Sequence, residues 1–179
     1  MNKSRYSNLQ TYDNYKRNKR ITIIAVVLIA LLVVGLILYS IYSNKTKYSS
    51  ISSIEFSTST GPVAPEFQST KTLTLQNNGC SIVVSGSVNQ NGSQPCSLTK
   101  SGYQNIVDSY YKNDVQGSIN ANNSAGQPEL LGGQTRTITI KKSDGSVLQT
   151  KVTVELIKNI QPFLETVSQN VAQYSSIGF

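Results

Sequence analysis

From Ile21 to Leu38 the chain reads ITIIAVVLIALLVVGLIL, and Tyr39-Ser-Ile-Tyr42 prolongs the run without a charge. Apolar residues here surround the whole helix circumference, whereas a helix lying on a soluble core keeps them to one stripe. At ~1.5 Å per residue, roughly 22 residues span ~33 Å, enough for a hydrocarbon core of ~30 Å. A single helix satisfies all its own backbone groups, as lipid requires. Tyr39 and Tyr42 close the run with rings whose polar tips suit a membrane–water interface. The pattern predicts one transmembrane helix over residues 21–42.

Beyond it the periodicity changes. Ser43–Ser50 is polar and reads as a short tether. Ile54 and Phe56 alternate with polar residues, predicting a strand over 52–59. Gly61-Pro62 and Pro65 interrupt the pattern and stiffen a loop. Leu73 and Leu75 alternate within 71–76, and Cys80, Ile82 and Val84 alternate after Asn77-Asn78-Gly79, so the two runs predict a hairpin. Tyr103, Ile106, Val107 and Tyr110 then recur at helical spacing behind a cap at Ser97 or Thr99. Residues 115–134 carry little periodicity and read as a long loop, mobile or functional. Ile138 and Ile140, then Val152, Val154 and Leu156, mark strands over 135–142 and 147–156 joined at Asp144-Gly145. Asn159 and Pro162 open a last helix with Phe163, Leu164, Val167, Val171 and Tyr174 along one stripe.

The order is strand, hairpin, helix, hairpin, helix. It predicts an α+β domain over residues 51–179, with an antiparallel sheet of about five strands packed against two helices. The whole chain divides into a basic tail (1–20), the transmembrane helix (21–42), the tether (43–50) and this domain.

Charge changes the picture by its placement. The 179 residues hold 16 Lys+Arg and 9 Asp+Glu, a formal charge of +7. Lys3, Arg5, Lys16, Arg17, Lys19 and Arg20 precede the apolar run with only Asp13 against them, which leaves ten basic and eight acidic residues beyond it. The excess therefore sets topology, tail in the cytoplasm and domain outside the cell membrane, rather than a nucleic-acid surface. A cleaved signal peptide has a shorter apolar core and a small-residue exit, which Leu38-Tyr-Ser-Ile-Tyr-Ser43 lacks. The helix thus reads as a signal-anchor. Cys80 and Cys96 both fall on the oxidising side and predict a disulfide.

Composition narrows the chemistry further. There is no histidine, which removes Ser-His and Cys-His nucleophile pairs and imidazole metal ligation. Two cysteines cannot complete a thiolate zinc site or an iron–sulfur cluster. No cofactor or metal site is expected. Ser97-Leu-Thr-Lys100 fits the S-x-x-K pattern in which a lysine activates a serine, but no Lys-Thr-Gly or Ser-Asp-Asn accompanies it. The outer carboxylates show no paired spacing for glycoside hydrolysis. Asn44, Asn91 and Asn122 open N-x-[ST] tripeptides, short enough to arise by chance. The one unusual loop is Gly61-Pro-Val-Ala-Pro-Glu-Phe67, which offers Glu66 and Phe67 as contact groups on a backbone stiffened by proline.

The expected function is a non-enzymatic binding module, anchored in the bilayer by residues 21–42 and facing a partner protein or envelope polymer. The alternative is a structural envelope or pilin-like subunit, although the Gly and Glu of pilin processing are missing beside Lys19-Arg20-Ile21. A small serine hydrolase using Ser97 and Lys100 is the second alternative.

Overall fold

The computed structural model describes residues 3–61, 64, 67–86, 92–126 and 133–179, and in its first helix the side chains of 22–43 and 47–49. That helix, α1 (Lys3–Ser49), contains the apolar run. Thr22–Ser49 is the one stretch among the described residues long and apolar enough to cross a membrane, and no part of its most apolar stretch is buried. The expected tether is helical up to Ser49, since Ser43-Asn-Lys-Thr-Lys-Tyr-Ser contains neither Gly nor Pro to stop a helix. Between Thr46 and Lys47 the chain divides into an N-terminal helical unit and a globular unit.

The globular unit contains β1 (Ile51–Ser59), β2 (Ser69–Gln76), β3 (Gly79–Gly86), β4 (Gly92–Gln94), α2 (Lys100–Lys112), α3 (Val115–Ser124), β5 (Thr135–Lys142), β6 (Val147–Lys151), α4 (Val154–Asn159) and α5 (Gln161–Asn170), followed by a 3-10 turn at Tyr174–Ile177. The strands form one six-stranded sheet in the order β4-β3-β2-β1-β5-β6, antiparallel at every pair. This is the α+β class expected, with one strand more. The addition is β4, three polar or glycine residues on which alternation has nothing to register. Two residues after it, Cys96 is joined to Cys80 of β3, with Cα atoms 5.6 Å apart.

Three other expectations change. Alternation at Val152, Val154 and Leu156 does not continue the strand: β6 ends at Lys151, and Thr153 caps α4 by accepting the Leu156 N–H at 3.1 Å. A hydroxyl at that position, with Leu156 and Ile160 buried four residues apart, favours a helix over more ladder. The first half of the expected 115–134 loop is α3, whose buried Val115 and Ile119 share the same spacing. Asn159 closes α4 rather than capping α5, which begins behind Ile160 with no side-chain cap and with Pro162 in its first turn.

The core lies on one side of the sheet. Ile54, Phe56, Leu73, Leu75, Ile82, Ile138 and Ile140 are fully buried, together with Tyr103, Ile106, Val107, Phe163 and Val167 from the helices. Phe56 is its hub, with ring centroids 6.2 Å from Phe163, 5.4 Å from Tyr174 and 5.2 Å from Phe179. Tyr103 reaches across to donate to the Ile51 carbonyl at 3.0 Å, so its buried hydroxyl is satisfied. At the start of the unit, Lys47 Nζ and Tyr48 OH converge on Asp108 of α2 at 2.5 and 3.0 Å, and Ser50 Oγ meets Tyr111 OH at 2.5 Å. On the β6 edge, Asn122 Nδ2 donates to the Lys151 carbonyl and Asn123 Nδ2 to the Gln149 carbonyl, each at 3.0 Å.

Replacing the hub by Phe56→Ala is expected to lower unfolding stability by about 3–5 kcal/mol, the usual cost of emptying a buried phenylalanine site. Urea denaturation checks this, and a loss under about 1 kcal/mol contradicts the central place given to that ring.

Candidate functional site

The residues singled out from sequence do not assemble into catalytic machinery. Thr99, not Ser97, caps α2, accepting the Gly102 N–H at 3.0 Å. Lys100 is the first residue of that helix, and both it and Ser97 are exposed. Among the described residues no hydrogen bond joins Ser97 to Lys100; the Ser97 N–H instead donates to Gln173 Oε1 at 3.3 Å. Burial pushes the phenols of Tyr103 and Tyr110 up to about 12, which leaves both protonated and silent near neutral pH. No group of His, Cys, Asp or Glu among the described residues could hold a metal ion.

Of the expected contact loop, Glu66 lies outside the described residues with Pro62 and Pro65. Phe67 faces outward, 70% exposed, on a turn in which its N–H donates to the Ala64 carbonyl at 2.8 Å. Asn122, which opens one N-x-[ST] tripeptide, has its amide engaged at the β6 edge.

Two arrangements that the sequence reading passed over stand out. The first is the side of the sheet opposite the core. Its cross-strand rows include Val147–Lys141, Gln149–Thr139–Glu55–Thr74–Ser81, Lys151–Thr137–Ser57–Thr72–Val83–Ser93 and Thr135–Ser59–Thr70–Ser85. None of these side chains is buried. Hydroxyls dominate; the charges are Lys151, Lys141 and the Glu55 paired with Lys141 at 2.6 Å, and the large apolar groups are Val83 on β3 and Val147 on β6. Such a face offers donors and acceptors over a broad area with little net charge. Its signal was present as the polar half of the alternation in Thr70, Thr72, Thr74 and Thr135, Thr137, Thr139.

The second is a cleft of about 220 Å³ where α2 turns into α3, lined by Tyr110, Tyr111, Asp114, Gln116, Gly117 and Asn120. Asp114 is the one non-glycine residue with positive φ (42°) among those described. It pays for the left-handed backbone by capping α3, its Oδ1 accepting the Gly117 N–H at 3.2 Å. A Cβ at position 117 would collide with that carboxylate, so a larger residue there would displace the cap. Gln116 Oε1 accepts from Lys142 Nζ at 3.0 Å and Tyr110 OH at 3.4 Å, closing one wall.

Compared with protein-family models, curated proteins and solved structures, the chain matches none.

Asp114→Ala is expected to remove the cap while keeping an unfavourable backbone, lowering stability by about 1–2 kcal/mol, whereas Asp114→Asn costs only a few tenths. Chemical denaturation with amide hydrogen exchange across 115–119 checks this; equal effects of the two variants would remove the cap from the account.

Proposed function

We propose that this is a single-pass membrane protein, tail in the cytoplasm and globular unit outside, that binds an envelope polymer without transforming it. The membrane placement rests on the apolar stretch of α1 and the cationic residues before it. The Cys80–Cys96 disulfide accords with an oxidising compartment for the globular unit.

The single observation behind binding is the hydroxyl-rich open face of the sheet. A protein partner is commonly gripped by a central cluster of large apolar and aromatic anchors, whereas Val83 on β3 and Val147 on β6 stand apart with three strands between them. A strongly charged polymer calls for a dense field of opposite charge, which the face also lacks. Hydroxyl and threonine methyl groups instead suit a polymer that presents hydroxyls and amides of its own, through many weak contacts. The exposed, unlinked Ser97 and Lys100 give no support to a hydrolase.

Protease added to intact cells is expected to degrade the part bearing Cys80 and Cys96 and to spare the first 20 residues; full protection of the whole chain rejects the topology. Detergent-solubilised full-length protein is also expected to co-sediment with insoluble wall material from the producing cells. Thr72→Lys or Thr137→Lys, each in the middle of the face, should cut retention roughly tenfold, the loss of about 1.4 kcal/mol. Lys112→Gln, at the end of α2, should leave it unchanged. Retention equal in all variants places any binding elsewhere.

A further inference from the structure

At one end of the sheet, on its core side, three buried polar atoms have no hydrogen-bond partner: Thr58 Oγ1, Arg136 Nε and Tyr174 OH. They belong to one neighbourhood. Thr58 pairs directly with Arg136 on β5 and with Lys71 on β2, so a hydroxyl stands between two cations in a single cross-strand row. Phe56, two residues along β1, lies on the same face and touches the Tyr174 ring at 5.4 Å. The charge of Arg136 reaches the Tyr174 phenol, where it opposes the upward push of burial. Thr58 and Tyr174 are 7% and 5% exposed.

The imbalance is chemical as well as geometric. A guanidinium N–H and an ammonium can only donate, and both hydroxyls can donate. Neither Arg136 nor Lys71 forms an ion pair among the described residues, whose two salt bridges are Lys47–Asp108 and Lys141–Glu55. Among the described residues, the partner of Lys71 Nζ is the Ser176 carbonyl, at a long 3.3 Å. Buried donors left unmatched are rare because each forfeits its hydration, and several together mark a place for an absent acceptor.

We infer that the Arg136–Thr58–Lys71 row, beneath Tyr174, is a binding site for a small oxyanion: a free phosphate or sulfate, or the carboxylate of an acidic ligand. Two cations supply the charge, and the guanidinium and hydroxyls supply directed donors, the pairing that holds such groups elsewhere in proteins. The roof over the site is one 3-10 turn, Tyr174–Ile177, ended by Gly178 in the left-handed region. Short terminal turns open at little cost, which gives an ion a way in.

The test uses the full chain in nonionic detergent, with thermal unfolding followed by the near-ultraviolet tyrosine signal. Sodium phosphate and sodium acetate are each titrated against sodium chloride at constant ionic strength. A saturable rise in midpoint of about 3–6 °C over chloride is expected. A rise with phosphate alone assigns a tetrahedral oxyanion, and a rise with acetate as well assigns a carboxylate. Arg136→Gln should abolish the rise, Tyr174→Phe, which removes only the hydroxyl, should diminish it and raise the half-saturating concentration at least threefold, and Lys158→Gln in α4 should preserve it. Should Arg136→Gln fail to fold, Tyr174→Phe still decides. Curves indistinguishable from chloride, or an undiminished rise in Tyr174→Phe, would mean that water alone fills the site and overturn the inference.

Discussion

Phe56 lies midway along β1, the strand from which the sheet extends in both directions, and its ring gathers Phe163, Tyr174 and Phe179. Everything else in the globular unit follows from burying that side of the sheet and not the other. Because successive strand residues point to opposite faces, fixing Ile54 and Phe56 inward fixes Glu55 and Ser57 outward, and the ladder carries that choice to all neighbouring strands. Apolar burial is the dominant favourable contribution, and here it also determines which hydroxyls the molecule displays. The core and the open face are two results of a single register.

The start of the unit is held differently. Lys47, Tyr48 and Ser50 meet Asp108 and Tyr111 through hydrogen bonds and one ion pair whose partners are 33% and 46% exposed. An exposed pair of this kind contributes little by itself. Several short polar contacts on one turn nevertheless fix the direction in which the chain joins β1, while the Tyr48 ring also packs against the core. The domain is therefore ordered from Lys47, before its first strand begins.

Those elements were legible in the sequence wherever an apolar period ran for several residues. The β1, β2, β3 and β5 strands, α2 and the Cys80–Cys96 link could be read because Ile, Leu, Val and Tyr repeat at two or at three to four residues, and because two cysteines have one possible pairing. β4 had no apolar residue to show, and α3 hides two buried residues among Asn, Ser and Gln. At Val152–Leu156 the period of two was real but accidental, and the cap at Thr153 decided the outcome. The candidate surfaces were harder to see. Threonines on an open face look like ordinary solvent positions until the strands are placed side by side, and Arg136 and Thr58 are 78 residues apart along the chain but adjacent in the ladder. Only the pairing reveals them.

The amides of Asn122 and Asn123 on the β6 carbonyls have a consequence for how copies of the chain meet. A sheet margin with free carbonyls is a template on which another copy can grow, and confinement to a bilayer would raise the encounter rate of such margins. Here α3 occupies the Gln149 and Lys151 oxygens, so β6 offers a poor seam for edge-to-edge polymerisation. At the opposite margin β4 is only three residues long, too short a rail for a neighbour to align on. Copies packed closely together can thus remain separate molecules, each with its hydroxyl face unobstructed.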